Sequence, residues 1–230
     1  MSSRNVNVNR ILHHKKAIAT IWILLILFPN PALLPLNVYR FFELPTRPTD
    51  DVRLVADSLP ANATAIERYV DDHIHYAYDF QTYGAVWYLP TPSDVLKAQQ
   101  GDCKSKAVLL ASLLEAKQIP HAVEVSPVHF WVDYSGKPRT NFTEQYETTR
   151  VAFVENGQFK LPDQTNVLLS LNIYKDLVWT SMPLLRKIAL ITGLALIIQF
   201  GHFKGFKKRW RDYMIGLLQL CLICEIAAQF

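Results

Sequence analysis

Only three cysteines occur in the 230 residues, and just one, Cys103, lies outside the apolar stretches near the chain's ends. A disulfide framework is thereby excluded for the polar middle of the chain, since a lone thiol has no internal partner. The sequence has no glycine-rich phosphate loop, no internal repeat and no low-complexity tract, so nothing points to a nucleotide cradle or a solenoid. Nor does any set of Cys, His or carboxylates have zinc spacing; His73 and His75 stand two apart in a helical segment and do not share a face. No metal and no cofactor is expected. The polar region also lacks a basic surface interleaved with aromatics, which argues against a nucleic-acid partner.

What is present is unevenly placed. Half of the residues are hydrophobic, and they gather from Ala17 to Leu36 and from Leu184 to Phe230, leaving Asn37 to Thr180 with the mixed composition of a globular domain. The net charge of +4 is localised too. Arg4, Arg10, Lys15 and Lys16 precede the first apolar block, and Lys204, Lys207, Lys208, Arg209 and Arg211 separate the last two. Basic segments beside spans stay on the cytoplasmic side. The expected map is a cytoplasmic basic N-terminus (1–16), a transmembrane anchor (17–36), an extracytoplasmic domain with linker (37–180), a transmembrane helix (183–203), a cytoplasmic basic loop (204–212) and a last transmembrane helix (213–230). The lipid bilayer is then a partner.

Two of these assignments have rivals. The first block also fits a cleaved signal peptide, though prolines follow it at once and no small-x-small cleavage site is evident. The second span is interrupted by Arg186 and Lys187, which must snorkel to the outer interface, leaving an interfacial helix as the alternative. Cys221 and Cys224 have C-x-x-C spacing, but inside an apolar block they read as small apolar helix residues.

Within the polar domain, helical periodicity precedes strand periodicity. Asp50 or Asp51 caps a short helix ended by Pro60, and Asn62 or Thr64 opens a longer one carrying Ile66, Tyr69, Val70, His73 and Ile74. Thr91-Pro92-Ser93-Asp94 supplies a cap, a proline at the first helical position and an acid at the third; Gly101 closes that helix and Asp102 starts the next, with Ala107, Leu110, Ala111 and Leu114 on its apolar face. After Pro120 come three strand-like runs, 122–125, 128–134 and 149–154, with turns at Ser135-Gly136-Lys137 and at 155–158. Helices followed by an antiparallel meander predict an α+β domain.

The chemistry concentrates in Gly101-Asp102-Cys103-Lys104-Ser105-Lys106, answered by His129-Phe130-Trp131-Val132. A cysteine at a helix start faces unpaired amides and the positive end of the helix dipole, which stabilise a thiolate, and Lys104 and Lys106 add positive charge. The Cys103 amide would point towards an oxyanion, and Trp87 or Gln99 is a candidate second donor.

These residues resemble the transglutaminase-like superfamily of papain-like thiol enzymes. The resemblance runs through Val70 to Tyr76, Trp87-Tyr88-Leu89-Pro90, Gly101-Asp102-Cys103, Ile119-Pro120-His121 and His129-Phe130-Trp131-Val132, over about residues 50–154. It implies a papain-like core in which Cys103 attacks an amide or ester carbonyl, His129 shuttles the proton, and an Asp or Asn orients the histidine. The family's usual Asp-Pro pair after the histidine is missing here. Asp133 lies four residues beyond His129, about 13 Å along a regular strand. Asn141, folded back by the turn at 135–137, is the preferred third residue, unless Asn141-Phe142-Thr143 carries a glycan; Asp163 is a further alternative.

The resulting expectation is a membrane-anchored thiol enzyme acting on amide bonds of extracytoplasmic peptides or proteins, as hydrolase or acyltransferase. The competing expectation is a catalytically silent binding or assembly module of the same fold, held with a membrane-protein partner.

Overall fold

The computed structural model describes residues 2–125, 129–137, 153–155, 158–160 and 167–199. In chain order these form α1 (Ser2–Leu27), α2 (Leu33–Phe42), α3 (Asp50–Ser58), α4 (Ala63–His73), β1 (His75–Tyr76), α5 (Asp79–Thr82), α6 (Pro92–Ala98), β2 (Gln100–Gly101), α7 (Cys103–Ala116), β3 (His121–Val125), β4 (Phe130–Tyr134), β5 (Phe153–Glu155), β6 (Gln158–Lys160), α8 (Val167–Lys175), a π-helical turn (Asp176–Thr180) and α9 (Leu184–Gln199). The fold class is α+β. The chain divides into two compact units, one comprising residues 35–83 and 87–181 and the other residues 1–34, 84–86 and 182–230.

In the first unit α7 is the centre. From Lys104 to Leu114 every residue except Lys106 is buried, and α3, α4, α6, β3 and β4 all pack against it. Its apolar face is therefore wider than the 107, 110, 111 and 114 stripe: Val108, Leu109 and Leu113 are also fully covered. A helix enclosed on all sides has no polar face to keep. The surrounding caps follow local chemistry. Asn62 caps α4 by accepting from the Ala65 amide at 2.9 Å, and Thr91 and Asp94 form a reciprocal capping box with Pro92 at the first turn of α6. Helix α3 starts one residue earlier than expected, with Thr49 as its N-cap. Helix α6 ends on Gln99, which takes the left-handed conformation (φ 51°), rather than being closed by Gly101. Gly101 is required for a different reason: a Cβ there would fall on the Ser105 side chain.

Strands β1 and β2 form a short parallel ladder in which Tyr76 pairs with Gly101. The other sheet has the order β4-β3-β5-β6, all antiparallel. This departs from a meander: after the β3–β4 hairpin the chain pairs β5 with β3, through Val125 and Val154, instead of adding it to β4. On β4, Phe130, Val132 and Tyr134 are buried whereas Asp133 is exposed, the alternation of a sheet with one face on the core.

The expected anchor at 17–36 is not one helix. α1 ends at Leu27 and α2 begins at Leu33, because Pro29 and Pro31 cannot continue the amide ladder. Just past that run, Asn37 is buried in the first unit, donating to the Trp87 carbonyl at 2.9 Å and accepting from the Leu89 amide at 3.0 Å. The expected span at 183–203 is, over the described residues, the 16-residue helix α9, about 24 Å long at 1.5 Å per residue. Among the described residues no single helix is long and apolar enough to cross a membrane; only the segments Leu171–Thr180 and Leu184–Gln199 taken together reach that length and composition. The expected span 213–230, with Cys221 and Cys224, lies outside the described residues.

In the second unit α1 packs on α9. The approach is close at Gly193, where a Cβ would fall on the buried Trp22 indole. Arg186 does not snorkel outwards: it is buried and donates to the Gly84 carbonyl. Ile21, Leu24, Leu184, Leu185, Ile188, Ile191 and Ile198 are exposed on this unit.

Two substitutions probe the two units. Leu109→Ala removes a fully buried side chain from α7 and is expected to cost about 2–5 kcal/mol in denaturant unfolding. Gly193→Leu drives a side chain into Trp22, with an expected loss of about 1–3 kcal/mol or more, read as a lower thermal midpoint and a shifted tryptophan emission.

Candidate active site

Cys103 is the first residue of α7, with Asp102 as N-cap. The Asp102 carboxylate accepts from the Lys104 amide at 3.0 Å and the Ser105 amide at 3.3 Å, so two donors of the helix start are already taken by the N-cap side chain. Lys104 turns inwards. Its ammonium is buried, 2.8 Å from Asp79 Oδ2 and in contact with Asp102 as well. Lys106 points outwards to Asp71, 3.0 Å away. Each source of positive charge near the thiol has therefore found a carboxylate.

This reverses the expected effect on the cysteine. Cys103 keeps partial exposure as a residue, but its surroundings are close enough for burial to dominate, pushing the thiol up to about 12; the Asp102 charge adds to this, against smaller opposing effects from Lys104 and the Phe130 amide. The resting group is a thiol.

Strand β4, which begins at Phe130, packs against α7, which begins at Cys103. His129 directly precedes that strand. Its ring lies nearly parallel to Trp131, at 5.7 Å between centroids with 13° between planes, and the residue is half-buried. The structure thus sets the helix that Cys103 opens against the strand that His129 precedes.

The remaining candidates are dispersed. Asp133 is exposed on β4, opposite Ala122; the strand is regular between them, so it stands two positions past Trp131 on the side of His129. Asn141 and Asp163 lie outside the described residues. Gln99 is exposed, and its carbonyl accepts from the His75 amide at 3.0 Å. Trp87 is half-buried and packs on Phe41, with centroids 6.3 Å apart, beside the core. Among the described residues no group of His, Cys, Asp and Glu is arranged to hold a metal ion.

The residue that sequence spacing did not single out is Asp79. It is almost fully buried on α5, accepts from the Tyr88 amide at 2.7 Å and pairs with Lys104. Burial raises its carboxyl to about 7, with Asp102 pushing the same way and Lys104 opposing. Its other oxygen has no hydrogen-bond partner, as is true of the buried Tyr83 hydroxyl and Ser105 Oγ. An acid set between Tyr78 and Phe80 was the available signal, since a charge so flanked is either exposed by a turn or buried with a partner.

Compared with protein-family models, with curated proteins and with solved structures, the chain finds no match.

Two outcomes follow for the ion cluster. Lys104→Met strands two buried carboxylates and is expected to cost about 3–5 kcal/mol at pH 8, less under acidic conditions where the carboxyls take up protons. Because the folded-state value of Asp79 is raised above the unfolded one, its contribution favours the fold at low pH and is lost as pH rises from about 4 through about 7. Urea unfolding across that window should show the loss in the wild type and a flatter profile in Asp79→Asn.

Proposed function

We propose that the chain is a transglutaminase-like thiol enzyme that cleaves or transfers at amide bonds of peptides or proteins, with Cys103 as nucleophile and His129 as proton carrier. One packing relation carries this reading: β4, whose first residue follows His129, lies against α7, whose first residue is Cys103. Since the thiol rests protonated, His129 acts as general base during attack rather than as the partner of a preformed thiolate. The sulfur forms a bond to the carbonyl carbon, the imidazole takes the thiol proton, and the amide nitrogen leaves with that proton as the thioester forms. Water or an amine then attacks the thioester, releasing the sulfur. Asn141 is proposed to orient His129.

The exposed apolar side chains of the second unit, from Ile21 and Leu24 to Ile191 and Ile198, support a membrane as its surroundings, with the first unit held on the extracytoplasmic side. A patch of this kind on a freely soluble monomer would be an aggregation liability.

A second reading is favoured by the raised thiol itself: a module of the same fold whose site is silent and which serves assembly with a membrane protein. The two readings are separated by an amide-substrate panel assayed with wild type, Cys103→Ala and His129→Ala. The enzyme reading expects turnover that falls at least about a thousandfold in either variant, and a thioester adduct on Cys103 in the intact mass of the wild type. Absence of turnover and adduct, with a partner co-purifying equally in all three proteins, would establish the module instead.

A further inference from the structure

Asp79, Asp102 and Lys104 place two buried carboxylates around one buried ammonium, immediately beneath Cys103. An odd negative charge in a dense interior is unfavourable, and the cluster has one economical remedy, a proton on a carboxylate. The two acids are not equivalent. Asp102 is engaged at both oxygens: its Oδ1 accepts from two helix-start amides and its other oxygen meets the ammonium. Asp79 accepts one amide and the ammonium on a single oxygen, and its second oxygen has no hydrogen-bond partner, so that oxygen is the vacant place for a proton. The groups facing Asp79 are Lys104, Asp102 and Cys103 from the start of α7, Tyr83 from the end of α5, and Tyr88 from the loop that follows; Asp94 of α6 acts on Tyr83 from further off. None but Lys104 brings positive charge.

We propose that Asp79 is a positioning residue of the Cys103 site, acting through Lys104. Ionised, it draws the single ammonium away from Asp102 and leaves Cys103 beside an uncompensated carboxylate. Protonated, it yields the ammonium to Asp102, the cluster becomes neutral, and the thiol proton leaves more readily. The direction agrees with the charges that bear on Cys103, where Asp102 and Asp79 hold the proton on and Lys104 loosens it. The consequence is a site whose thiol gains less from rising pH than an isolated thiol does, because ionisation of Asp79 counteracts it.

This inference rests on the reading of Cys103 as nucleophile, but it is tested on the thiol alone, without any amide substrate. Full-length protein in detergent micelles is alkylated with iodoacetamide between about pH 5.5 and 9, and the Cys103 peptide is followed by mass spectrometry. An isolated thiol well below its pKa reacts about tenfold faster per pH unit. The wild type should show a shallower segment between about pH 6 and 8 and resume the full slope above it. Asp79→Asn, which keeps the shape and removes the charge, should restore a straight profile and raise the rate at pH 8.5 by about three- to tenfold. A straight wild-type profile, or an Asp79→Asn profile superimposable on a bent wild-type one, overturns the proposal. Near-UV circular dichroism reports whether the variant is folded; if it is not, the wild-type profile decides. Loss of amide turnover in Cys103→Ala addresses the nucleophile itself, so the two readings fail separately.

Discussion

Three charges without water organise the start of α7. Removing a carboxylate or ammonium from solvent costs several kcal/mol, recovered only where partners and geometry are fixed. Lys104 has two acids in reach, and Asp102 takes two amides besides the ammonium. The cluster consequently ties together α5, the N-cap of α7 and the loop that delivers the Tyr88 amide. Beside it, the chain entering α7 packs closely at Gly101, where a Cβ would fall on the Ser105 side chain. Such an arrangement tolerates little local variation, and the nucleophile candidate is built on top of it.

Burial first, and the Asp102 charge after it, determine what kind of thiol Cys103 is. A helix start offers amides and a dipole to whatever anion arrives, but an Asp at the N-cap arrives first and is permanently attached. With Lys104 committed to carboxylates and Lys106 turned to Asp71, no unneutralised positive charge remains for sulfur among these groups. Strand β4, which His129 precedes, packs on the helix that Cys103 opens.

Much of the first unit was legible residue by residue. Asn62, Thr91, Pro92, Asp94 and Asp102 each announce a helix start through short-range chemistry, and the structure uses each of them so. The strands at 121–125 and 130–134 follow from β-branched and aromatic runs. Other features depend on what packs against what. Nothing local says that α7 is enclosed on every side, that β5 joins β3 rather than β4, or that Asn37 turns inwards to bond Trp87 and Leu89. The apolar blocks misled in one respect: hydropathy sums across Pro29 and Pro31, whereas a helix cannot, so the run is broken between Leu27 and Leu33. Arg186 likewise read as a residue seeking the interface until the Gly84 carbonyl supplied it a buried partner.

Composition and spacing by themselves determined the α+β class, the helix starts at Asn62, Thr91 and Asp102 and the juxtaposition in sequence of Gly101, Asp102 and Cys103, because caps, prolines and periodicity act over a few residues. The tertiary structure alone decided that Lys104 faces inwards to Asp79, twenty-five positions earlier in the chain. It also decided that Cys103 is enclosed so that burial raises its thiol, since burial and field are not revealed by sequence proximity.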